Sequence, residues 1–192
     1  MSCIFGTSHR KPWCTKGAHG LICKDSDNAP GKCVSMDQLV SAQPGLIPQM
    51  AGFLTNLCIW GATIFVDHFL DFVFVALMRD LTLDEALLAK TSFERNASDG
   101  GVTINSYQAD NGRFADAGFQ QAIKDANQTI TFCAVGPHYQ NSSIVKHRIK
   151  ELTLISCMLL LHAKLYWPDY VTTMMWSFAL KEATYQLNRL SL

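Results

Sequence analysis

The pattern of apolar and polar positions divides the chain into three parts. Residues 1–50 show little periodicity and are rich in Gly, Pro, Ser, Cys and charged residues, so we expect an extended or irregular segment there. From about residue 57 to 135 the pattern predicts, in order, strand, strand, helix, strand, helix and strand. These elements fall at residues 59–67, 71–79, 84–95, 102–109, 116–126 and 129–135. After residue 143 the spacing predicts two helices separated by Trp167-Pro168.

Local signals mark the ends of the first predicted helix. Thr82 has the chemistry of an N-cap, and Glu85 three residues later completes a capping box. Gly100-Gly101 then ends the helix. After residue 143 an apolar face recurs every three or four residues and predicts an amphipathic helix. Its members are Ile149, Leu152, Ile155 and Leu159.

Composition indicates one core of domain size. The chain has 192 residues, of which 48% are hydrophobic, and this is enough to bury a sizeable core. Seven cysteines without regular spacing argue against a disulfide framework, and residues 1–11 lack the features of a secretory signal. The apolar run 52–78 carries Asp67, His68 and Asp71, and charge is costly inside a membrane, so strands explain it better. We therefore expect an intracellular protein without membrane contact.

The formal net charge is zero, which bears on nucleic-acid binding. A protein that holds DNA through its phosphates usually shows a basic balance or a basic patch. The clearest local patch lies at residues 146–150, on the first helix after residue 143, and it could equally be an ordinary solvated face. Strong autonomous binding to DNA is therefore not expected.

Two of the predicted strands lead into a carboxylate. Asp67 ends the run 59–67, and Asp110 follows the run 102–109. An Asp at the end of a strand is often only a turn or cap residue, so neither one alone supports a functional claim. As a pair they could bind divalent metal ions, since Mg²⁺ is typically held by one or two carboxylates together with substrate phosphates.

The segments around these positions resemble the catalytic core of copia-type retrotransposon integrases. One is Gln108-Ala109-Asp110-Asn111-Gly112, and the other is His138-Tyr139-Gln140-Asn141 just before the first long helix. The resemblance implies an α/β, ribonuclease-H-like fold over residues 51–192, with a mixed central sheet flanked by helices. It also implies a metal-dependent polynucleotidyl transferase that integrates DNA, with Mg²⁺ or Mn²⁺ as its cofactor.

The same resemblance implies roles for individual residues and partners. Asp67 and Asp110 would be catalytic acids and metal ligands. The residues expected to lie near nucleic acid are Asn111, His138, Gln140, Asn141, Lys146, Arg148 and Lys150. The partners would be retroelement ends and target DNA, with self-association into a homo-oligomer, and a functional enzyme would be nuclear.

Position 146 departs from the family pattern. The family carries a Glu after an interval of about thirty-five residues from the second Asp, and this chain has Lys146 there. An ammonium group is no metal ligand, and it repels a divalent ion by about 8 kcal/mol at about 4 Å and an effective dielectric constant of about 20. Glu151, the nearest acid on the same predicted helix, lies about 140° around the axis and is expected to face elsewhere.

The first fifty residues contain scattered cysteines and histidines. The segment from Cys3 to Arg10 resembles the end of the zinc module that precedes these cores, so residues 1–50 are interpreted as its remnant. Four residues offer zinc-binding atoms, but their spacing matches no closed site, so zinc is not expected. They are His9, Cys14, His19 and Cys23.

Two functions of different classes follow from these observations. The first is an enzyme that inserts retroelement DNA, impaired by the lysine at position 146. The second is a non-catalytic relic that keeps the fold and at most binds nucleic acid weakly or associates with itself. The chemistry at position 146 separates them, because strand transfer on DNA uses two divalent ions held by oxygen ligands.

Overall fold

The computed structural model describes residues 29–48, 56–110, 112–132 and 143–190. Within these ranges the chain forms five strands and four α-helices. The strands are β1 (Val34–Gly45), β2 (Ile59–Asp67), β3 (Val73–Met78), β4 (Ser106–Ala109) and β5 (Thr129–Phe132). The helices are α1 (Leu83–Asp99), α2 (Ala117–Asp125), α3 (Ser143–Tyr166) and α4 (Trp176–Leu190).

The strands form one mixed sheet in the order β3-β2-β1-β4-β5. The first three run antiparallel to one another as a meander, and β1, β4 and β5 run parallel. The central strand β1 is therefore antiparallel to β2 and parallel to β4. Its parallel pairing with β4 is short and joins Val34 to Tyr107 and Ser35 to Gln108.

Each face of the sheet carries its own apolar core, because successive side chains of a strand point to opposite faces. One cluster joins Val34 and Met36 of β1 to α1 and α2, and Phe65 stacks on Phe93 there with ring centroids 4.6 Å apart. The other cluster joins β2 and β3 to α3 and α4, with Val145 and Leu152 of α3 buried in it. The sheet is thus the middle of three layers.

The predicted order of elements between residues 57 and 135 is confirmed where the structure describes it. The strand predicted at 59–67 is β2, and the helix predicted at 84–95 extends in both directions as α1. Thr82 is the N-cap of this helix, and its side chain accepts the Glu85 N–H. In a full capping box the Glu85 carboxylate would accept the Thr82 N–H in return. It accepts the Arg79 N–H instead, so only half of the capping box forms. The predicted strand 102–109 begins only at Ser106.

The largest difference concerns the first fifty residues. Residues 34–45 were expected to be irregular, yet they form β1, the central strand of the sheet. This strand contains only four large apolar residues among several polar ones and ends in Pro44-Gly45, so its sequence lacks a strand-like apolar run. The core thus begins well before the predicted boundary at residue 51.

The apolar run 52–78 forms β2 and β3 over its described part. In the portions of the chain that the structure describes, no helix has the length and hydropathy that crossing a membrane requires.

Candidate active site

Asp37 and Asp110 lie side by side on neighbouring parallel strands. The strand register pairs Ser35 with Gln108, and two further residues along each strand direction lead to Asp37 and Asp110. Neighbouring strands are about 4.8 Å apart, so the two carboxylates are within reach of one ion. Alternation places Asp37 on the α3 side of the sheet, opposite to Met36.

Lys146 of α3 completes this cluster. Burial raises the pKa of Asp37 above its usual range, and the neighbouring Asp110 carboxylate raises it further. The Gln38 N–H, which donates to Asp37 Oδ1 over 2.8 Å, and the Lys146 ammonium act in the opposite direction. Lys146 therefore lies close enough to the carboxylate pair for its charge to be felt there.

The structure does not bring Asp67 to Asp110. Asp67 pairs with Val34, three residues before Asp37, and it lies on β2, on the other side of β1 from β4. At about 3.3 Å per residue and about 4.8 Å per strand, this separates Asp67 from Asp110 by more than about 10 Å. Two ions about 4 Å apart cannot be shared across such a distance.

Asp67 instead caps the turn between β2 and β3. Its side chain is 3% exposed and accepts the backbone N–H groups of Gly31, Phe69 and Leu70 over 2.7, 2.9 and 2.7 Å. These three bonds engage both carboxylate oxygens. The turn-residue interpretation of Asp67 therefore matches the geometry, and the assignment as a metal ligand does not.

Arg148 is engaged within the protein rather than presented to solvent. Its guanidinium group forms an ion pair with Asp71, and Nε donates to Asp71 Oδ1 over 3.1 Å. The same group forms a second ion pair with Glu151, in which the nitrogen and oxygen are 2.5 Å apart. Its side chain is only 17% exposed. Arg148 thus does not fit the predicted nucleic-acid contact, and Glu151 faces Arg148 instead of the acidic pair, as its angular position implied.

The other predicted site residues fall into two groups. Lys150 is exposed on α3, so it remains available to a phosphate group. Four residues lie outside the described residues, and their predicted roles stay predictions: Asn111, His138, Gln140 and Asn141. His68 lies beside Asp67, and its Nε2 forms a 2.6 Å hydrogen bond with Ser35 Oγ, which is a structural contact.

Asp37 was missed by sequence reasoning, although one signal was present. It stands in the segment Val34-Ser35-Met36-Asp37-Gln38-Leu39-Val40, where apolar residues flank a single acid. A carboxylate inside a partly buried strand is costly and is retained chiefly where it has a task. Because polar residues interrupt this segment, no strand was predicted there, and Asp37 was not considered as a site residue.

The residues of this cluster do not fit a two-ion centre as they stand. Two carboxylates could hold one hard cation, but Lys146 places a positive charge next to them. Among the described residues there is no group of three or more His, Cys, Asp or Glu side chains that could hold a metal ion. Within the part of the chain that the structure describes, the acidic pair therefore has no third such side chain grouped with it.

Solved structures with similar folds are integrase cores and an intasome. A chain of the simian T-cell lymphotropic virus intasome in complex with PP2A regulatory subunit B56 gamma is 18% identical, with a TM-score of 0.59 over 84% of this chain. The HTLV-2 integrase catalytic core domain in complex with magnesium is 16% identical, with a TM-score of 0.53 over 84% of this chain. The catalytic core domain of BIV integrase is also 16% identical, with a TM-score of 0.54 over 82%.

The chain matches different fractions of these proteins. This chain spans 49% of the intasome chain, 88% of the HTLV-2 chain and 83% of the BIV chain. No protein-family model and no curated protein matches the sequence. At such identities the likeness establishes the fold, which is the ribonuclease-H-like fold of integrase catalytic cores, with a mixed sheet flanked by helices, as the resemblance implied.

Proposed function

We propose that this chain is the catalytic core of a copia-type retrotransposon integrase whose active centre is impaired by Lys146. The observation that supports it best is the placement of Asp37 and Asp110 at one level of two neighbouring parallel strands, under the helix that carries residue 146. The acidic pair consists of Asp37 and Asp110, and Asp67 has a structural role.

The proposed reaction class is metal-dependent polynucleotidyl transfer on DNA. The HTLV-2 core of the same fold is a magnesium complex, so Mg²⁺ is the cofactor that we assign to the ancestral site, with Mn²⁺ as an equivalent. Asp37 and Asp110 would hold the ion, and a third acid would complete a two-ion centre. In this chain an ammonium group replaces that acid, so the second ion loses a ligand and meets a like charge.

A non-catalytic core that retains the fold is the second candidate, and Lys146 is the specific observation that favours it. Such a protein would retain weak contacts with DNA or with a second copy of itself. The HTLV-2 core has been solved in dimeric and trimeric forms, which supports self-association as a property to measure here. A nuclear location belongs to the first candidate.

Isothermal titration calorimetry with Mn²⁺ tests the proposal. We expect little site-specific binding by the parent chain and clear binding by Lys146→Glu, because that change supplies a third carboxylate and removes the opposing charge. Adding Asp37→Asn or Asp110→Asn to Lys146→Glu should abolish the gain. Tight binding of two ions by the parent chain would contradict the assignment of position 146.

A further inference from the structure

The α3 helix contacts the sheet along an apolar stripe that has a charged residue on either side. Val145 and Leu152 are buried in the stripe, and Ile149 packs against the same core. At 100° per residue, Lys146 lies about 90° to one side of this stripe and Arg148 about 70° to the other. Lys146 is thereby directed toward β1 and β4, and Arg148 toward the turn between β2 and β3.

The turn between β2 and β3 is held by several hydrogen bonds. Asp67 caps it through the N–H groups of Phe69 and Leu70, and the Asp67 N–H donates to Phe72 O over 3.0 Å. Immediately after it, Asn188 of α4 accepts the Val73 N–H over 2.9 Å and donates to Val73 O over 2.8 Å. Asp71 sits within this turn at a φ of +54°, which few non-glycine residues adopt.

Arg148 joins α3 to this β2–β3 turn through Asp71, and Glu151 one helical turn later holds the same guanidinium group. A planar guanidinium group held by two carboxylates has little freedom to rotate. The apolar stripe restrains the roll of α3 only through side-chain packing, because the hydrophobic effect is non-directional, and the Arg148 ion pair adds a directional contact. A roll of about 10° would move a side chain at a radius of about 5 Å by about 1 Å.

We propose that Arg148 is a positioning residue, which sets the roll of α3 through Asp71 and so fixes the approach of residue 146 to the Asp37 and Asp110 carboxylates. The inference rests on the proposed function, because it concerns the same acidic pair. In this arrangement Asp67 stabilises the turn between β2 and β3, and Asp71 within the same turn binds Arg148.

The test measures Mn²⁺ affinity by calorimetry and the electron paramagnetic resonance signal of bound Mn²⁺ in the whole 192-residue chain carrying Lys146→Glu. Adding Arg148→Met should weaken binding by about tenfold or more, since a displacement of about 1 Å strongly affects a pre-organised site. Arg148→Lys, which retains a charge for Asp71, should recover part of the affinity. Asp71→Asn should act like Arg148→Met and add little to it, because both remove the same contact.

Arg79→Met is the matched control, because it removes an arginine from a 3.1 Å ion pair with Glu85 that lies away from α3. It should change Mn²⁺ affinity by less than about twofold, as expected for a distant site. Thermal unfolding of each variant separates a loss of position from a loss of fold. An unchanged affinity after Arg148→Met, in a folded protein, would overturn the proposal.

A different readout applies if Lys146→Glu itself binds no Mn²⁺, which would contradict the proposed function. Hydrogen exchange of the amides at residues 145–150 can then be compared between Arg148→Met and Arg79→Met in the parent chain. Faster exchange with Arg148→Met alone supports the positioning role, and equal exchange in both variants overturns it.

Discussion

Asp37 on β1 lies beside Asp110 at the end of β4, on two parallel strands at the centre of the sheet. The pairing follows from topology, because the carboxyl ends of neighbouring parallel strands meet at the same level. Residues far apart in the sequence thus form one acidic pair. Lys146 on α3 interacts electrostatically with this pair, because its charge lowers the pKa of Asp37.

The turn role of Asp67 predicts a large effect on stability. Asp67→Ala removes the acceptor of three backbone N–H groups, of which that of Gly31 is in a buried bond, and should lower the free energy of unfolding by about 2–4 kcal/mol. Urea denaturation followed by circular dichroism measures this change. Asp110→Ala is the control, because Asp110 accepts one N–H, from Gly112 over 3.1 Å, in an exposed bond and should cost less than about 1 kcal/mol. Equal losses would contradict the assignment.

The burial of Asp37 predicts a dependence of stability on pH. Its pKa in the folded protein is raised above 3.8, the ordinary value of an Asp side chain, first by burial and then by Asp110, so the folded state holds this proton more tightly than the unfolded state does. The favourable contribution is complete below pH 3.8 and is lost as the pH rises through the folded pKa. Asp37→Asn should therefore be more stable than the parent at neutral pH.

Denaturation midpoints of the parent and Asp37→Asn, measured from pH 3.5 to 7.5, check this expectation. The difference between them should shrink toward the acidic end, where both side chains are neutral. The asparagine can still accept the Gln38 N–H, so the comparison isolates the charge. A variant that is less stable than the parent at neutral pH would show that the ion pair with Lys146 outweighs the cost of burial.

Much of the fold followed from the sequence, but the first acid of the site did not. The run 59–67 has apolar residues on both faces, as expected for a strand covered on both sides, and its prediction was confirmed as β2. In β1 the polar residues Asp37, Gln38, Ser41 and Gln43 interrupt the apolar pattern, so the sequence does not predict a strand there. The position of β1 is fixed by its pairing with β2 and β4. Such pairings join residues that are distant in sequence, and local periodicity does not report them.

The prediction of Asp67 as a metal ligand likewise rested on local sequence, which does not report contacts between distant residues. Its position at the end of an apolar strand is shared by catalytic acids and by turn residues, and only the three N–H groups that it accepts distinguish them. Arg148 was likewise assigned to DNA from its place in a basic cluster. Its acidic partner Asp71 lies 77 residues earlier, so the ion pair was invisible in the sequence.

A partly buried network around Glu94 predicts sensitivity to acid. Burial alone would raise the pKa of Glu94, but hydrogen bonds from Gln128, Lys90 and Tyr107 lower it below 4.5, the ordinary value of a Glu side chain. The stabilisation is therefore present above pH 4.5 and is lost as the pH falls through the folded pKa. Glu94→Gln should cost about 1–3 kcal/mol at neutral pH, because it weakens charge-assisted bonds from Tyr107 and Lys90 over 2.8 and 2.9 Å.

Urea denaturation of the parent and Glu94→Gln at a series of pH values tests this network. The two curves should converge in acid, where Glu94 becomes protonated in the parent. Glu182→Gln is a suitable control, because the Glu182 carboxylate makes an exposed hydrogen bond with Gln186 on the surface of α4. A loss that is independent of pH would show that shape, rather than charge, accounts for the effect of the substitution.

Binding to duplex DNA should be weak, and it should depend on Lys150 and not on Arg148. The net charge is zero, and Arg148 is held by Asp71 and Glu151, so the basic cluster at residues 146–150 retains only its two lysines to displace counterions from phosphates. We expect a Kd weaker than about 1 μM at physiological salt, measured by fluorescence anisotropy on short duplexes. Lys150→Ala should lower the dependence of log K on log salt by about one, because it removes one phosphate contact.

Arg148→Met should leave that salt slope unchanged, because its guanidinium group is already neutralised within the protein. The two substitutions each remove one positive charge from the same helix, so a general effect of net charge would change both slopes alike. Equal reductions of the salt slope by both substitutions would show that Arg148 also contacts DNA phosphates, and they would contradict its positioning role. A reduction confined to Lys150→Ala would assign the exposed side of α3 to the phosphate backbone and the opposite side to the sheet.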